Sequence, residues 1–460
     1  MSSSKPRVSR WRRWVDGSKI KTKKSSPSCP QTLSPRPPAH LVKTLSTTAT
    51  LQRGLSMETL PAKLRSKILS LLSYQDLTAL TMASPVYFQH LRAEGHNVLW
   101  NLLTVSMKGL LPEIKAVYAS GQLKSAKART KERIAETVEE YRKCRLLTEE
   151  SPPRTTSLTL DDLLHIFKYH HNVIVPMFQR FATWVLENLA KEIEPPSSSV
   201  QRMISSTEES RIIRALYRFQ LCCHLFGNRS LDKPWGNSRV RTVSMDILQH
   251  LERMFYAWEI EEILCIYTFV QDQHHDIFNA VREDLDPMNF DMDSEFLMTE
   301  TYLEGTASQG LSLLHRALCE MEKDQAQLFQ AMQARLCCDE TEFIGTNEIL
   351  SPSMIEGRLM HDGLTDRDLR SQAREAFPFR GYHVPDPKGE FPPLAWTLLW
   401  HDTYSNIMGC WIPSALRNWG YVFWDAGKFE TGAKELLVRQ WKSLYWGEEM
   451  DPRNNLYGEE

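Results

Sequence analysis

Two adjacent histidine pairs, His170-His171 and His274-His275, and the run Cys222-Cys223-His224 are the residues whose types suit metal ligation. Neighbours on a helix point about 100° apart, so such a pair in a regular helix cannot close on one ion. These positions therefore read as packing, capping or surface residues, with Cys222 and Cys223 as small buried hydrophobes. Carboxylates gather at Asp161-Asp162, Glu261-Glu262 and Asp284 with Asp286. None is spaced with a base or a Gly-rich turn, as acid–base or phosphate chemistry needs. The GxSxG, HExxH, GxGxxG and P-loop patterns do not occur. The sequence marks no place for an active site, a cofactor or a metal, and the expected role is non-catalytic.

Seven of the thirteen tryptophans (Trp396, Trp400, Trp411, Trp419, Trp424, Trp441 and Trp446) fall in the last 65 residues. Residue type supports two expectations. One is core and inter-helix filling, since Trp buries a large area. The other is an aromatic-lined groove that takes a segment of a target protein, walled by Trp396, Trp400, Trp411, Trp419 and Trp424.

The elements that would position a partner lie in Glu58–Arg92. Thr59 is placed to cap a helix with Pro61 at its first position. Leu64, Ile68, Leu71 and Leu72 then recur at helical spacing on one face. Tyr74-Gln75-Asp76 breaks that pattern, with Asp76 as the cap of a second helix carrying Leu77 and Leu80. Ser84-Pro85 opens a third with Tyr87, Phe88 and Leu91. Three helices in 35 residues cannot bury so much leucine among themselves, because domains below ~40 residues need outside help. The face meets either the rest of the chain or a partner helix.

This stretch resembles an F-box. Leu60-Pro61, Leu64, Ile68-Leu69, Leu72 and Asp76-Leu77 hold that family's Leu-Pro, apolar, Ile-Leu, Leu and Asp-Leu places in its spacing. Lys63 stands where an acidic residue is usual, and Ser84 where Cys or Ser precedes the closing aromatic. The resemblance implies docking to the Skp-type adaptor of a cullin–RING ligase through Leu60, Pro61, Leu64, Ile68, Leu69, Leu72, Asp76 and Leu77. Residues 169–189, 212–227 and 416–425 are similar to segments in a group of filamentous-fungal F-box-domain proteins. There an F-box near the N-terminus precedes a long helical region of unassigned function. The implied role is the substrate receptor of an SCF-type ubiquitin ligase, holding an unknown protein target. The alternative is a helical scaffold whose F-box-like helices are part of its own core.

At 460 residues the chain has room for two to four domains. Residues 1–50 carry +10 of charge, which leaves −12 for the remainder, so no broad nucleic-acid footprint is expected. No run of eighteen apolar residues and no secretory core are found, so no membrane association is expected. The nine scattered cysteines then read as reduced thiols of the cytoplasm or nucleus. Within the tail, Lys19–Lys24 suits a nuclear import signal, while Arg7, Arg10, Arg12 and Arg13 suit a mitochondrial presequence. A solvated basic tail with no address is the third reading.

The expected organisation is a disordered tail over 1–50, an F-box-like domain over 55–100, connecting helices over 101–150 and a helical recognition domain over 151–460. Helices are expected at Asn97–Lys108, Leu111–Ala119, Ala126–Arg145 and Asp161–Leu189, the last kinked or divided by Pro176. Another runs to Phe226, capped by Ser206-Thr207 with Glu209 in a capping box. Val243–Asp276 should be one long helix, followed by Ala307–Arg335 and by Phe429–Tyr445. Residues 343–393 read as loop, and Gly420–Trp424 is the best strand candidate. The fold class is therefore all-α, with few or no strands.

Overall fold

The computed structural model describes residues 56–124, 129–146, 158–193, 203–227, 244–285, 303–321, 343–344, 349–382, 390–445 and 451–455. The class is helical, and the described residues contain no sheet, only an isolated bridge between Ala376 and Thr403. The basic tail, Trp446 and the side chains of Asp284 and Asp286 lie outside the described set. The described residues divide into two compact units, one ending at Leu102 and the other beginning at Leu103. Their border falls inside a single helix.

In the first unit, α1 is Ala62–Leu71, α2 is Tyr74–Ala83 and α3 is Pro85–Ser106, which crosses the border. Thr59 does not cap α1. It closes a one-turn 3-10 segment, Met57–Thr59, where its hydroxyl donates to the Ser56 carbonyl at 2.7 Å. Pro61 is the capping residue itself, one place earlier than expected. Nor does Asp76 cap α2. Ser73 does, accepting from the Asp76 amide at 3.1 Å while its own hydroxyl donates to that carboxylate at 2.7 Å. The helix expected at Asn97–Lys108 is the second half of α3, since nothing after Pro85 interrupts the turn. Leu69, Leu77, Tyr87 and Leu91 are buried. Ser66 in α1 meets His90 in α3 at 2.8 Å, and Tyr87 donates to the Met57 carbonyl at 3.1 Å.

The second unit is built around α8, Ser206–Leu225, which is buried on nearly every side from Ile212 to Leu225. A helix with no solvated face belongs in the middle of a bundle. Here α4 (Leu111–Ser120) and α10 (Ala257–Leu285) pack on it. Next to α4 lies α5 (Lys131–Leu146), shorter than the Ala126 start expected, and α9 (Ser244–Met254) packs on α5. Capping of α8 falls to Ser205 with Glu208, one residue before the expected pair.

Pro176 does divide its segment. Between α6 (Leu160–Tyr169) and α7 (Val175–Glu192) the chain makes a π turn, His170–Ile174, with the Val175 amide reaching the His170 carbonyl. A proline with no N–H is accommodated by that change of register. The long helix expected over Val243–Asp276 is broken at Phe255-Tyr256 into α9 and α10. Arg145 takes the Met254 carbonyl at 2.6 Å, and Arg367 takes those of Glu252 and Phe255 at 2.9 and 2.6 Å. The Glu259 side chain caps the Tyr256 amide at 2.9 Å.

Beyond α11 (Leu311–Met321), the region read as loop carries two helices, α12 (Pro352–Asp362) and α13 (Asp366–Gln372). After α14 (Leu394–Leu399) and α15 (Ser414–Asn418), the strand candidate is instead a 3-10 turn, Tyr421–Phe423. Gly420 turns the chain there at φ 61°, and a Cβ would sit 3.1 Å from Val185. The last long helix, α16, is Lys434–Leu444, preceded by a π turn over Phe429–Ala433.

Candidate functional site

The F-box-like residues separate into an inner and an outer set. Leu69 and Leu77 are sealed and hold the helices, so neither presents itself at the surface. On the outer face of α1, Leu64 keeps 48% of its surface and Leu71 keeps 77%. Ile68, Leu72 and Leu60 are half-buried, and Pro61 and Asp76 are exposed. The result is an apolar strip at i, i+4, i+7 and i+8 along one side of a short helix. Leu71 and Met82, absent from the family-based set, share this exposure. Their signal in the sequence is spacing alone.

Titratable groups in the second unit are gathered inside it. Arg218 reaches Glu259 at 2.7 Å, Glu262 at 3.1 Å and Glu113 at 3.3 Å. Arg145 joins Glu259 through both nitrogens, at 2.6 and 3.0 Å, and Tyr141 donates to Glu113 at 3.1 Å. Burial works against the Glu259 carboxylate, but Arg145 and Arg218 outweigh it and hold its pKa below the usual range. Burial wins at Glu262, which is pushed up to about 7. A second buried pair, Arg417 with Glu261 at 2.9 Å, also engages the Gly409 backbone. These charges answer one another and fix helix positions. Among the described residues no three His, Cys, Asp or Glu side chains gather as a metal set would.

Asp161 and His275 lie exposed, whereas His170, Cys222, Cys223, His224 and His274 are built into the packing. His170 meets the Tyr217 hydroxyl at 3.1 Å, and burial lowers its pKa to about 3. His224 contacts Ser120 at 2.9 Å. Cys222 and Cys223 are sealed, and burial raises the Cys222 thiol. Asp162 closes the capping box of α6 with Thr159 and accepts from Tyr118. His274 is fully buried with neither ring nitrogen hydrogen-bonded, and burial lowers its pKa to about 4.

Of the candidate groove, Trp396, Trp419 and Trp424 are core residues. Trp424 donates to the Trp419 carbonyl and Trp419 to Gln440, both at 2.8 Å. Trp400 is buried between Trp396 and Trp441, with ring centroids 5.8 and 5.6 Å away. Trp411 is half-exposed. The cluster is chiefly an aromatic core, as the first of the two sequence readings has it. No helix among the described residues is long and apolar enough to cross a membrane. No protein-family model, curated protein or solved structure matches the chain.

Proposed function

We propose that this protein is the substrate-receptor subunit of an SCF-type ubiquitin ligase. Its first unit would dock a Skp-type adaptor, and its second would hold a protein target. The reading rests on the F-box-like order of residues 58–92. The observation that carries it is the outer strip of α1, where Leu64 and Leu71 stay exposed beside Ile68 and Leu72. Leucines at helical spacing on an uncovered face suit a helix-to-helix contact. In such an assembly the catalytic chemistry belongs to the other subunits, and this chain supplies orientation. Its place of action would be cytoplasm, nucleus or both.

The test is capture of purified Skp-type adaptor on beads carrying the full chain. Wild type should retain adaptor, and a Leu60→Ala/Pro61→Ala variant should retain little. Equal retention by the two proteins rejects the assignment.

A further inference from the structure

The second unit carries an open cleft of about 540 Å³ between α14 and α16, within the size range of ligand sites. Its floor is apolar, formed by Leu398, Leu399, Leu437 and Trp441. One rim is a helical stripe, Lys434, Val438 and Lys442, at i, i+4 and i+8. Val438 keeps 44% of its surface, and both lysines are exposed. Among the described residues, neither lysine has a carboxylate within ion-pair distance.

The opposite rim is a strained turn held by backbone hydrogen bonds. His401 and Asp402 both adopt left-handed conformations, with φ of 52° and 58°. The Asp402 amide donates to Thr397 at 2.9 Å, and its carbonyl accepts from Phe377 at 2.6 Å, which pins the turn. Strained residues fixed in this way concentrate at binding sites. His401 and Arg453 are shared with an adjoining, more polar cavity of about 170 Å³. Arg453 is locked to Asp451 at 2.9 Å and lies 4.9 Å over the Trp441 ring. Its charge is thus already answered, and among the described residues Lys434 and Lys442 are the cations of the cleft without an ion pair, facing Asp402 as the carboxylate on the opposite rim.

We infer that this cleft binds an extended peptide in which two acidic side chains bracket a large apolar one. The spacing fixes the pattern. Eight residues of helix place Lys434 and Lys442 about 12 Å apart along the axis. An extended strand rises about 3.3 Å per residue and alternates its faces, so acidic partners on the face that meets the cleft fall four positions apart. The side chain between them meets Val438 and the apolar floor. A fatty acid, with a single carboxylate at one end, does not match two cations flanking an apolar centre. The inference names a substrate class for the receptor reading and rests on it for its biological purpose.

The test is selection of a random-sequence displayed peptide library on the full-length protein. Wild type should enrich peptides with Asp or Glu four positions apart around a central Leu, Ile, Phe or Trp. A synthetic peptide from that set should bind a Lys434→Glu/Lys442→Glu variant at least tenfold more weakly. The same peptide with Lys in place of its acidic residues should recover binding to the variant. No acid–apolar enrichment, or enrichment unchanged by the double substitution, overturns the inference. So does variant-sensitive binding of sodium oleate in the absence of any peptide signal. Adaptor capture runs in parallel: the variant should retain it, so a failure of adaptor binding and a failure of peptide binding are read separately.

Discussion

Leu64 and Leu69 lie on opposing sides of one ten-residue helix: Leu69 has no accessible surface, and Leu64 keeps 48% of its own. Five residues of helix turn the chain through about 500°, which sets the two side chains roughly 140° apart. The inner leucine has packing to lose and the outer one has little. Leu69→Ala should therefore destabilise the protein by about 2–4 kcal/mol. Leu64→Ala should change stability by less than about 0.5 kcal/mol. Urea midpoints of the two variants check this, and equal losses would contradict the division of the helix into two faces.

Buried charge makes a second prediction. Arg145 and Arg218 face three carboxylates, Glu113, Glu259 and Glu262, so the cluster holds one more acid than base. Glu259 touches both arginines. Glu259→Gln should cost about 3–5 kcal/mol, because it removes the one carboxylate that both buried arginines contact. Glu262 has its pKa raised to about 7 by burial. A carboxyl raised on folding contributes stability that is complete at low pH and is lost as pH rises from the unfolded value of about 4.3 to the folded one. Glu262→Gln should accordingly be the more stable protein at pH 8, with its advantage gone at pH 4.5. Denaturation curves at the two pH values decide it, and a loss of stability at pH 8 would rule the account out.

His274 gives a pH dependence of the opposite sign. Burial lowers its pKa to about 4, below the unfolded value of about 6.5. Its contribution is intact above pH 6.5 and is lost as pH falls towards 4. Between pH 7.5 and 5, wild type should lose about 2 kcal/mol more than His274→Leu. Parallel slopes for the two proteins would show that this imidazole is not held neutral.

Much of the helical architecture is legible from spacing and prolines, whereas caps and breaks are decided by contacts distant in sequence. In Ser205–Glu209 two possible capping boxes lie one residue out of register, and local sequence does not choose between them. Asp425, some 220 residues away, accepts from Ser205 and Thr207 and takes the side of Ser205. The break at Phe255-Tyr256 has no glycine or proline to announce it. It is made by Arg145 and Arg367, brought to the orphan carbonyls by the fold. Gly420–Trp424 has a strand's composition, but its aromatic side chains are wanted by the core on a turn.

The outer strip of α1 was visible as a period of leucines, while the cleft was not. Lys434, Val438 and Lys442 form a stripe in the sequence, yet Leu398 and Leu399 join them only through folding. Trp396, Trp400, Trp419 and Trp424 are taken up in packing against one another. Their replacement should show it. Trp419→Ala, which removes a sealed ring and orphans Gln440, should cost about 3–5 kcal/mol, measured by thermal or chemical denaturation. A variant of unchanged stability would show that the Trp419 ring is not part of the core packing.

The outer strip of α1 is proposed as a docking surface, and titration of purified Skp-type adaptor into the full chain decides whether it is one. A Leu64→Asp/Leu71→Asp variant should melt within about 2 °C of wild type, since both side chains are already in water. Its affinity for the adaptor should fall at least a hundredfold, about 2.7 kcal/mol. A wild-type protein that shows no binding, or a variant that binds as wild type does, would contradict the account.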